Sequence, residues 1–140
     1  MNPEFDHEKL DVYRLSIEFL AWVGTLIDDR LKGTRLSVIK HLDESSTSVA
    51  LNIAEGNGKR SLLDRARFLD IARGSALESA ACLDVLIARR KVESVDVRMG
   101  KTSLVRIVSM LTKLIETLLV RSASTSTSTS TSTHARTNES

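Results

Sequence analysis

Apolar residues recur every three or four positions in four separate stretches of the chain, a spacing that predicts four amphipathic helices. The first covers about residues 6–31, the second about 35–55 and the third about 61–90, and the fourth begins near residue 94 or 96. The connections are short, about three to six residues, and short connections place consecutive helices antiparallel. No β-hairpin pattern competes with these helices. The predicted fold is therefore all-α, an antiparallel up-down-up-down four-helix bundle.

The first two helices differ in how much of their surface is apolar. The main stripe of the first helix is formed by Leu10, Tyr13, Ile17, Leu20 and Ile27. More apolar residues lie on its other faces, which predicts more than one partner surface and favours an oligomer. The second helix carries one heptad-like stripe, made of Ile39, Leu42, Ser46, Val49, Ile53 and Gly56. It is expected to end at Gly56-Asn57-Gly58, because these residues tolerate left-handed C-cap geometry.

The third and fourth helices each carry one inward stripe. Ser61, with Asp64 three residues later, is the expected N-cap of the third helix. Glycine within a helix destabilises it by about 0.5–1 kcal/mol relative to alanine, so Gly74 beside Ser75 predicts close packing of a neighbouring helix. The stripe of the third helix is Leu62, Leu69, Ala72, Ala76, Leu83 and Leu86. The stripe of the fourth is Leu104, Ile107, Leu111, Leu114 and Leu118.

The end of the chain changes character after Arg121. Five Ser-Thr repeats fill residues 124–133, and only two residues of the tail are apolar. Such a segment buries too little apolar surface to offset the entropy lost on ordering. The expected organisation is a bundle domain over residues 1–121 and a disordered Ser/Thr-rich tail over residues 122–140.

Composition excludes several classes of protein. The chain has 140 residues, is 41% apolar and 27% charged and contains one proline, which excludes wholesale disorder and collagen. The longest apolar run has five residues, Phe19 to Val23, against the roughly 20 that cross a bilayer. The N-terminus is polar and acidic, unlike a signal or transit peptide. The single Cys82 has no disulfide partner in the chain and sits among alanines, so it is expected to be a small core residue in a cytoplasmic protein.

Charge is divided unevenly along the chain. Residues 1–56 hold 6 Lys/Arg and 10 Asp/Glu, whereas residues 57–121 hold 13 and 7, so formal charges of −4 and +6 hide behind a total of +2. The basic candidates lie at the two ends of the third helix and at the start of the fourth: Lys59, Arg60, Arg65, Arg89, Arg90, Lys91, Arg98, Lys101 and Arg106. They are either solvated surface groups or phosphate contacts. Few aromatic residues accompany them, so binding to RNA or DNA would be backbone-driven and sensitive to salt.

Two segments carry a recognisable pattern. Residues 48–56, SVALNIAEG, resemble the signature S-[IV]-x-x-N-I-A-E-G, and residues 67–78, RFLDIARGSALE, resemble R-F-L-x-I-A-x-G-S-x-x-E. With residues 10–13, LDVY, they make residues 5–120 similar to the bacterial four-helix bundle family of 23S rRNA intervening-sequence proteins. The resemblance implies a left-handed up-and-down bundle and a ring-shaped homopentamer, without a settled molecular function. A more distant relative is the accessory protein of diversity-generating retroelements, which binds a reverse transcriptase and nucleic acid.

The chain departs from the family before the first motif. Relatives usually carry a glutamine-leucine-arginine-arginine-alanine-alanine run, whereas residues 41–46 read HLDESS. Asp43 and Glu44 therefore stand where relatives have two arginines, and any contact made by those arginines is lost.

The polar residues of both motifs are expected to face one another. Ser48, Asn52 and Glu55 share one face of the second helix, and a similar set on the third helix is Arg67, Gly74, Ser75 and Glu78. A turn near Gly58 brings Glu55 close to Arg67, which predicts an ion pair with Asn52 alongside that fixes the register of the two helices. The alternative is a binding site lined by these groups.

No constellation of residues indicates catalysis. His41-x-x-Glu44 is single and reversed, whereas a di-metal bundle needs Glu-x-x-His on two helices. Gly58-Lys59-Arg60 lacks the first glycine of a phosphate-binding loop. The expectation is a non-catalytic oligomeric binding module, without metal, cofactor or membrane partner, that contacts nucleic acid or a nucleic-acid-handling protein. The alternative is a protein-binding adaptor of the kind that binds a reverse transcriptase.

Overall fold

Four α-helices follow one another along the chain, preceded by a single 3₁₀ turn at Asp6–Lys9. They are α1 (Asp11–Arg30), α2 (Ser37–Asn57), α3 (Leu62–Ala88) and α4 (Ser94–Thr137). The computed structural model describes the backbone of residues 2–137 and the side chains of residues 2–126, and no strand occurs in that part of the chain. The predicted all-α four-helix fold is confirmed.

The helices pack in chain order around one core. Each helix packs closely against the next and α4 also packs against α1, whereas in the described residues the Cα atoms of the diagonal pairs stay more than 8 Å apart. Two hydroxyl pairs at 2.8 Å, Ser45–Ser79 and Ser48–Ser75, show that α2 and α3 run antiparallel. These contacts are compatible with the up-down-up-down order, while the left-handed sense of the bundle stays a prediction.

The core is formed by the stripes predicted for α2, α3 and α4. Side chains with no measurable exposure include Leu42 and Ile53 from α2, Leu83 from α3, and Ile107 and Leu111 from α4. Burying a large aliphatic side chain stabilises the folded state by about 1.5–3 kcal/mol. The apolar spacing of these three helices therefore identified their buried faces correctly.

The buried face of α1 is not the main stripe of the sequence. Val12, Leu15, Phe19, Val23 and Leu26 are buried. Ile17, from the main stripe, is 40% exposed. Because α1 is apolar nearly all round, spacing alone could not select the face that meets the core. The apolar belt of α1 is mostly used within the bundle, so it no longer supports an oligomeric surface.

The helix ends also differ from expectation at one point. Ser61 is the N-cap of α3, as predicted, and its Oγ accepts from the Asp64 backbone N–H at 3.3 Å. The end of α2 is not left-handed, since Gly58 has φ −84°. Positive φ occurs instead at Gly33 (81°) and at Arg90 (57°), where α3 ends. The Lys91 N–H donates to the Leu86 carbonyl across Arg90, which satisfies a carbonyl at the end of α3.

Two glycines permit close packing, but Gly74 is not one of them. A methyl group at Gly56 would lie 2.9 Å from Cβ of Phe68, and one at Gly100 would overlap the Trp22 indole. Nothing lies within 4 Å of a methyl group placed at Gly74. The close approach predicted at Gly74 is therefore wrong for that residue, whereas Ser75 beside it does meet α2 through the Ser48 hydroxyl.

The last buried residue of the described core is Leu118. No side chain from 119 to 126 is buried, although the helical backbone continues to Thr137, beyond the predicted boundary at 121. Most of the tail predicted to be disordered, residues 127–140, lies outside the described side chains, and its disorder stays a prediction. Within the described residues, every helix is too short or too polar to cross a bilayer.

Candidate functional site

A ladder of short polar side chains joins α2 to α3 at the two sequence motifs. The Ser48 and Ser75 hydroxyls lie 2.8 Å apart, and Asn52 Nδ2 donates to both the carbonyl and the hydroxyl of Ser48 at 2.9 Å. One turn away, Ser45 and Ser79 form the second hydroxyl pair. No buried side-chain nitrogen or oxygen in the described residues lacks a hydrogen-bond partner. The ladder is therefore a satisfied polar seam within the bundle.

The predicted Glu55–Arg67 ion pair does not form. Glu55 pairs with Lys59 at 3.6 Å, and Arg67 pairs with Asp64 at 3.8 Å. The serine pairs place Asn52 level with Ile71 of α3, one helical turn from Arg67. The position of the turn in the sequence does not reveal this offset. The register of two antiparallel helices is set by how their side chains pack, and not by the midpoint of the connection between them.

Among the other motif residues, Gly56 is buried between α2 and α3, whereas Glu78 lies at the surface. Glu78 approaches His41 at 4.0 Å, and both side chains are more than half exposed. Glu44 pairs with Lys40 on its own helix at 3.8 Å. No three His, Cys, Asp or Glu side chains come together as metal ligands in the described part of the chain.

Cys82 is buried on α3. Burial raises the pKa of its thiol, the nearby Glu78 carboxylate adds to that effect, and a hydrogen bond with Ser45 opposes it. A raised pKa keeps the thiol protonated at neutral pH, and a protonated, buried thiol is a poor nucleophile. The environment of Cys82 is that of a small core residue.

The basic candidates do not form one patch. Lys59, Arg60 and Arg65 lie at the start of α3, and Arg89, Arg90 and Lys91 lie at its end. A helix of 27 residues separates the two groups by about 40 Å. A single bound phosphate group cannot reach both of them.

Several candidates already have partners inside the molecule. Lys59 pairs with Glu55 and its Nζ lies 4.8 Å from the Phe68 ring centroid. Arg65 Nε donates to the Lys59 carbonyl at 2.6 Å, and Lys101 is ion-paired with Asp84. The exposed candidates without an ion pair among the described residues are Arg60, Arg89, Arg90, Lys91, Arg98 and Arg106.

The outer face of α4 brings three of the cations together. Arg98, Arg106 and Lys113 are exposed. At 100° and 1.5 Å per residue they lie within about 80° of arc and about 22 Å of length. No Asp or Glu occurs between Asp96 and Glu116. No motif marks Lys113, and its signals in the sequence are the seven-residue spacing from Arg106 and this gap in acidic residues.

Comparison with known proteins identifies the family. A family model described as 23S rRNA-intervening sequence protein matches residues 8–113. A solved structure of a protein of unknown function from the S23 ribosomal protein family of Bacteroides thetaiotaomicron VPI-5482 is similar, with TM-score 0.67 and 23% identity over 74% of this chain and 97% of that one. At that identity the likeness concerns the fold alone, and no curated protein matches the chain. The family match covers most of the chain and includes both motifs of the polar seam, and the chain belongs to the 23S rRNA-intervening sequence protein family.

Proposed function

We propose that the protein is a non-catalytic, oligomeric module that binds the phosphate backbone of nucleic acid through the outer face of α4. The observation that carries this proposal is the stretch between Asp96 and Glu116, which holds four Lys/Arg residues and no carboxylate. Three of the four, Arg98, Arg106 and Lys113, are exposed and make no ion pair within 4.0 Å among the described residues.

The geometry of this face suits backbone contacts better than base recognition. The three cations are spaced by about 12 and 10 Å along the helix, so they can meet several phosphates of one strand. Among the residues between Arg98 and Lys113 in the sequence, the large exposed apolar side chains are Met99 and Val105, and none is aromatic. Without aromatic residues to stack on bases, affinity would come from phosphate neutralisation and would depend little on sequence.

The oligomeric part of the proposal rests on exposed apolar side chains of α3 and α4. Ile71 is 47% exposed, Leu77 48% and Leu119 47%. Association with another chain would bury these side chains and remove their apolar surface from water. In a symmetric ring, the basic face would be repeated on every subunit, which would strengthen a weak field.

Salt-dependent binding tests the proposal directly. Because the family description names 23S rRNA, the first probe is a labelled RNA oligonucleotide. Binding is followed by fluorescence anisotropy between about 50 and 300 mM salt, and circular dichroism checks that the protein is equally folded at each salt concentration. We expect the logarithm of the association constant to fall linearly with the logarithm of the salt concentration. Replacing Arg98, Arg106 and Lys113 together by glutamine should lower the slope by about two to three.

A matched control removes the same charge elsewhere. Lys9, Lys32 and Arg35 are three exposed cations of the acidic half. Their triple glutamine variant should retain the salt slope of the parent. Absence of RNA and DNA binding at 50 mM salt, or equal losses in both variants, would contradict the proposed interface.

A protein-binding adaptor is the second candidate, and a groove between α3 and α4 favours it. The groove has a volume of about 300 Å³ and is lined by apolar side chains that include Leu77, Val105 and Val108. An apolar helix or loop of a partner could occupy it. Under this hypothesis Val105→Glu abolishes capture of a partner from nuclease-treated lysate, whereas the α4 glutamine variant still captures it.

A further inference from the structure

A small cavity lies at the end of the bundle where the chain enters α1 and turns from α2 into α3. Its volume is about 180 Å³ and it is lined by nine residues. Its apolar floor combines side chains from three parts of the chain: Leu10, Leu69, Leu114 and Leu118. Leu69 and Leu118 are buried core residues, so this floor is continuous with the core.

Two arginines provide the charge at this cavity. Arg65 is half-buried, and its Nε donates to the Lys59 carbonyl at 2.6 Å, which fixes the plane of the guanidinium group. Arg121 reaches the same cavity from α4. Neither forms an ion pair within 4.0 Å among the described residues, and no carboxylate lines the cavity.

This combination selects one class of ligand. An apolar floor favours an aliphatic group. The terminal amino groups of a fixed guanidinium favour a planar, bidentate anion such as a carboxylate. A volume of 180 Å³ holds about six water-sized groups, so the aliphatic group is short.

We propose that this cavity binds a short aliphatic carboxylate, with its hydrocarbon among the four leucines and its carboxylate between Arg65 and Arg121. The site is separate from the outer face of α4 and does not depend on nucleic-acid binding. The same chemistry is offered by a free acid of about six carbons and by the C-terminal leucine of a peptide. Both sources present a branched or linear aliphatic group a few bonds from a carboxylate.

Calorimetric titration of the full chain distinguishes the two sources. One arm uses hexanoate with hexanamide as its neutral control, and the other uses an acetylated tripeptide ending in leucine with its C-terminal amide as control. We expect one of the acids to bind and both amides to bind at least tenfold more weakly, because the amides lack the charge that the arginines pair with. If only the peptide binds, the site recognises a chain terminus, and if only hexanoate binds, it recognises a free acid.

Variants locate the bound ligand. Arg65→Gln and Arg121→Gln should each weaken binding about tenfold or more, while Arg60→Gln, a nearby exposed arginine outside the cavity, should leave it unchanged. Thr117→Trp changes an exposed residue of the rim and should block the cavity without disturbing the core. Absence of binding by both acids, or binding that survives both Arg121→Gln and Thr117→Trp in folded protein, overturns the proposal.

Discussion

At the scale of single residues, the glycines show how the same residue type is used in different ways along one bundle. Gly56 and Gly100 lie where a second helix comes so close that a methyl group would meet a side chain. Gly74 lies within a family-like motif, yet it faces open space. The sequence around each glycine is that of a helix, so only the opposing surface distinguishes a required glycine from a replaceable one.

Replacing Gly100 by alanine should destabilise the bundle. The added methyl group would overlap the indole of Trp22, a residue of α1 that packs against α4 at Gly100. Overpacking of a dense interface costs about 1–3 kcal/mol. Urea denaturation followed by circular dichroism measures the change in the free energy of unfolding.

Gly74→Ala serves as the matched control. Its methyl group meets nothing within 4 Å, and alanine stabilises a helix by about 0.5–1 kcal/mol relative to glycine. The two variants should therefore shift the free energy of unfolding in opposite directions. Stabilisation by Gly100→Ala would mean that the Trp22 contact does not limit the packing of α4, and destabilisation by Gly74→Ala would contradict the open surroundings of Gly74.

At the scale of elements, the register of α2 against α3 is set by serine hydroxyls. The Ser45 and Ser79 hydroxyls lie 2.8 Å apart, so one donates to the other. The accepting hydroxyl can donate to a carbonyl of its own helix, that of Leu42 for Ser45 or of Ser75 for Ser79. Small side chains let the two helices approach closely, and the hydroxyls then satisfy one another across the contact. Charged pairs are restricted to the exposed edge, where Glu55 and Arg67 each find a partner within one turn.

A double-mutant cycle tests the coupling between the two helices. Ser45→Ala and Ser79→Ala should each lower the free energy of unfolding by about 1 kcal/mol, because each removes one buried hydrogen bond. The double variant should cost clearly less than the sum, since no hydroxyl is then left without its partner. Thermal and urea unfolding of the four proteins provide the measurement.

Ser37→Ala offers a reference for that cycle. Ser37 is exposed at the start of α2 and no side-chain hydrogen bond caps the helix there. Its replacement should be nearly neutral, within about 0.5 kcal/mol. Strict additivity of Ser45→Ala and Ser79→Ala would indicate that the hydroxyl pair does not hold the register.

At the scale of the whole molecule, charge and apolar exposure are both unevenly distributed. The half with formal charge −4 becomes α1 and α2, and the half with +6 becomes α3 and most of α4. Large exposed apolar side chains are concentrated on α3 and α4. In contrast, α1 contributes only Ile17 and α2 only Leu51. The exposed apolar surface of the described residues therefore belongs mainly to α3 and α4.

We expect the protein to be an oligomer in solution. Light scattering coupled to size exclusion should return a mass that is a multiple of 15.4 kDa, and five copies if the family resemblance extends to assembly. The association should persist at high salt, because buried apolar surface is not screened by ions.

Removing residues 122–140 should leave the number of copies unchanged. The exposed apolar side chains that support association all belong to residues before 122. A monomeric mass for the full chain at micromolar concentration would refute the oligomeric part of the proposed function. Loss of the oligomer only on truncation would assign assembly to the tail instead.

The sequence alone determined the four helices, the buried faces of α2, α3 and α4 and the N-cap of α3, because periodicity and capping depend on residues within one turn of each other. It also carried the family resemblance, through two motifs of nine and twelve residues. Local pattern therefore fixed most of the fold, including Cys82 as a core residue.

Only the tertiary structure decided which face of α1 meets the core, which glycines are in close contact and which polar groups pair across α2 and α3. Each depends on the offset between two packed helices, and Asn52, expected beside a pair of Glu55 and Arg67, lies level with Ile71 instead, one turn away from Arg67. The cavity between Arg65 and Arg121 has the same origin, since its walls come from residues 10 to 121. Spacing along one helix holds no information on such distances, because packing of side chains from other helices sets them.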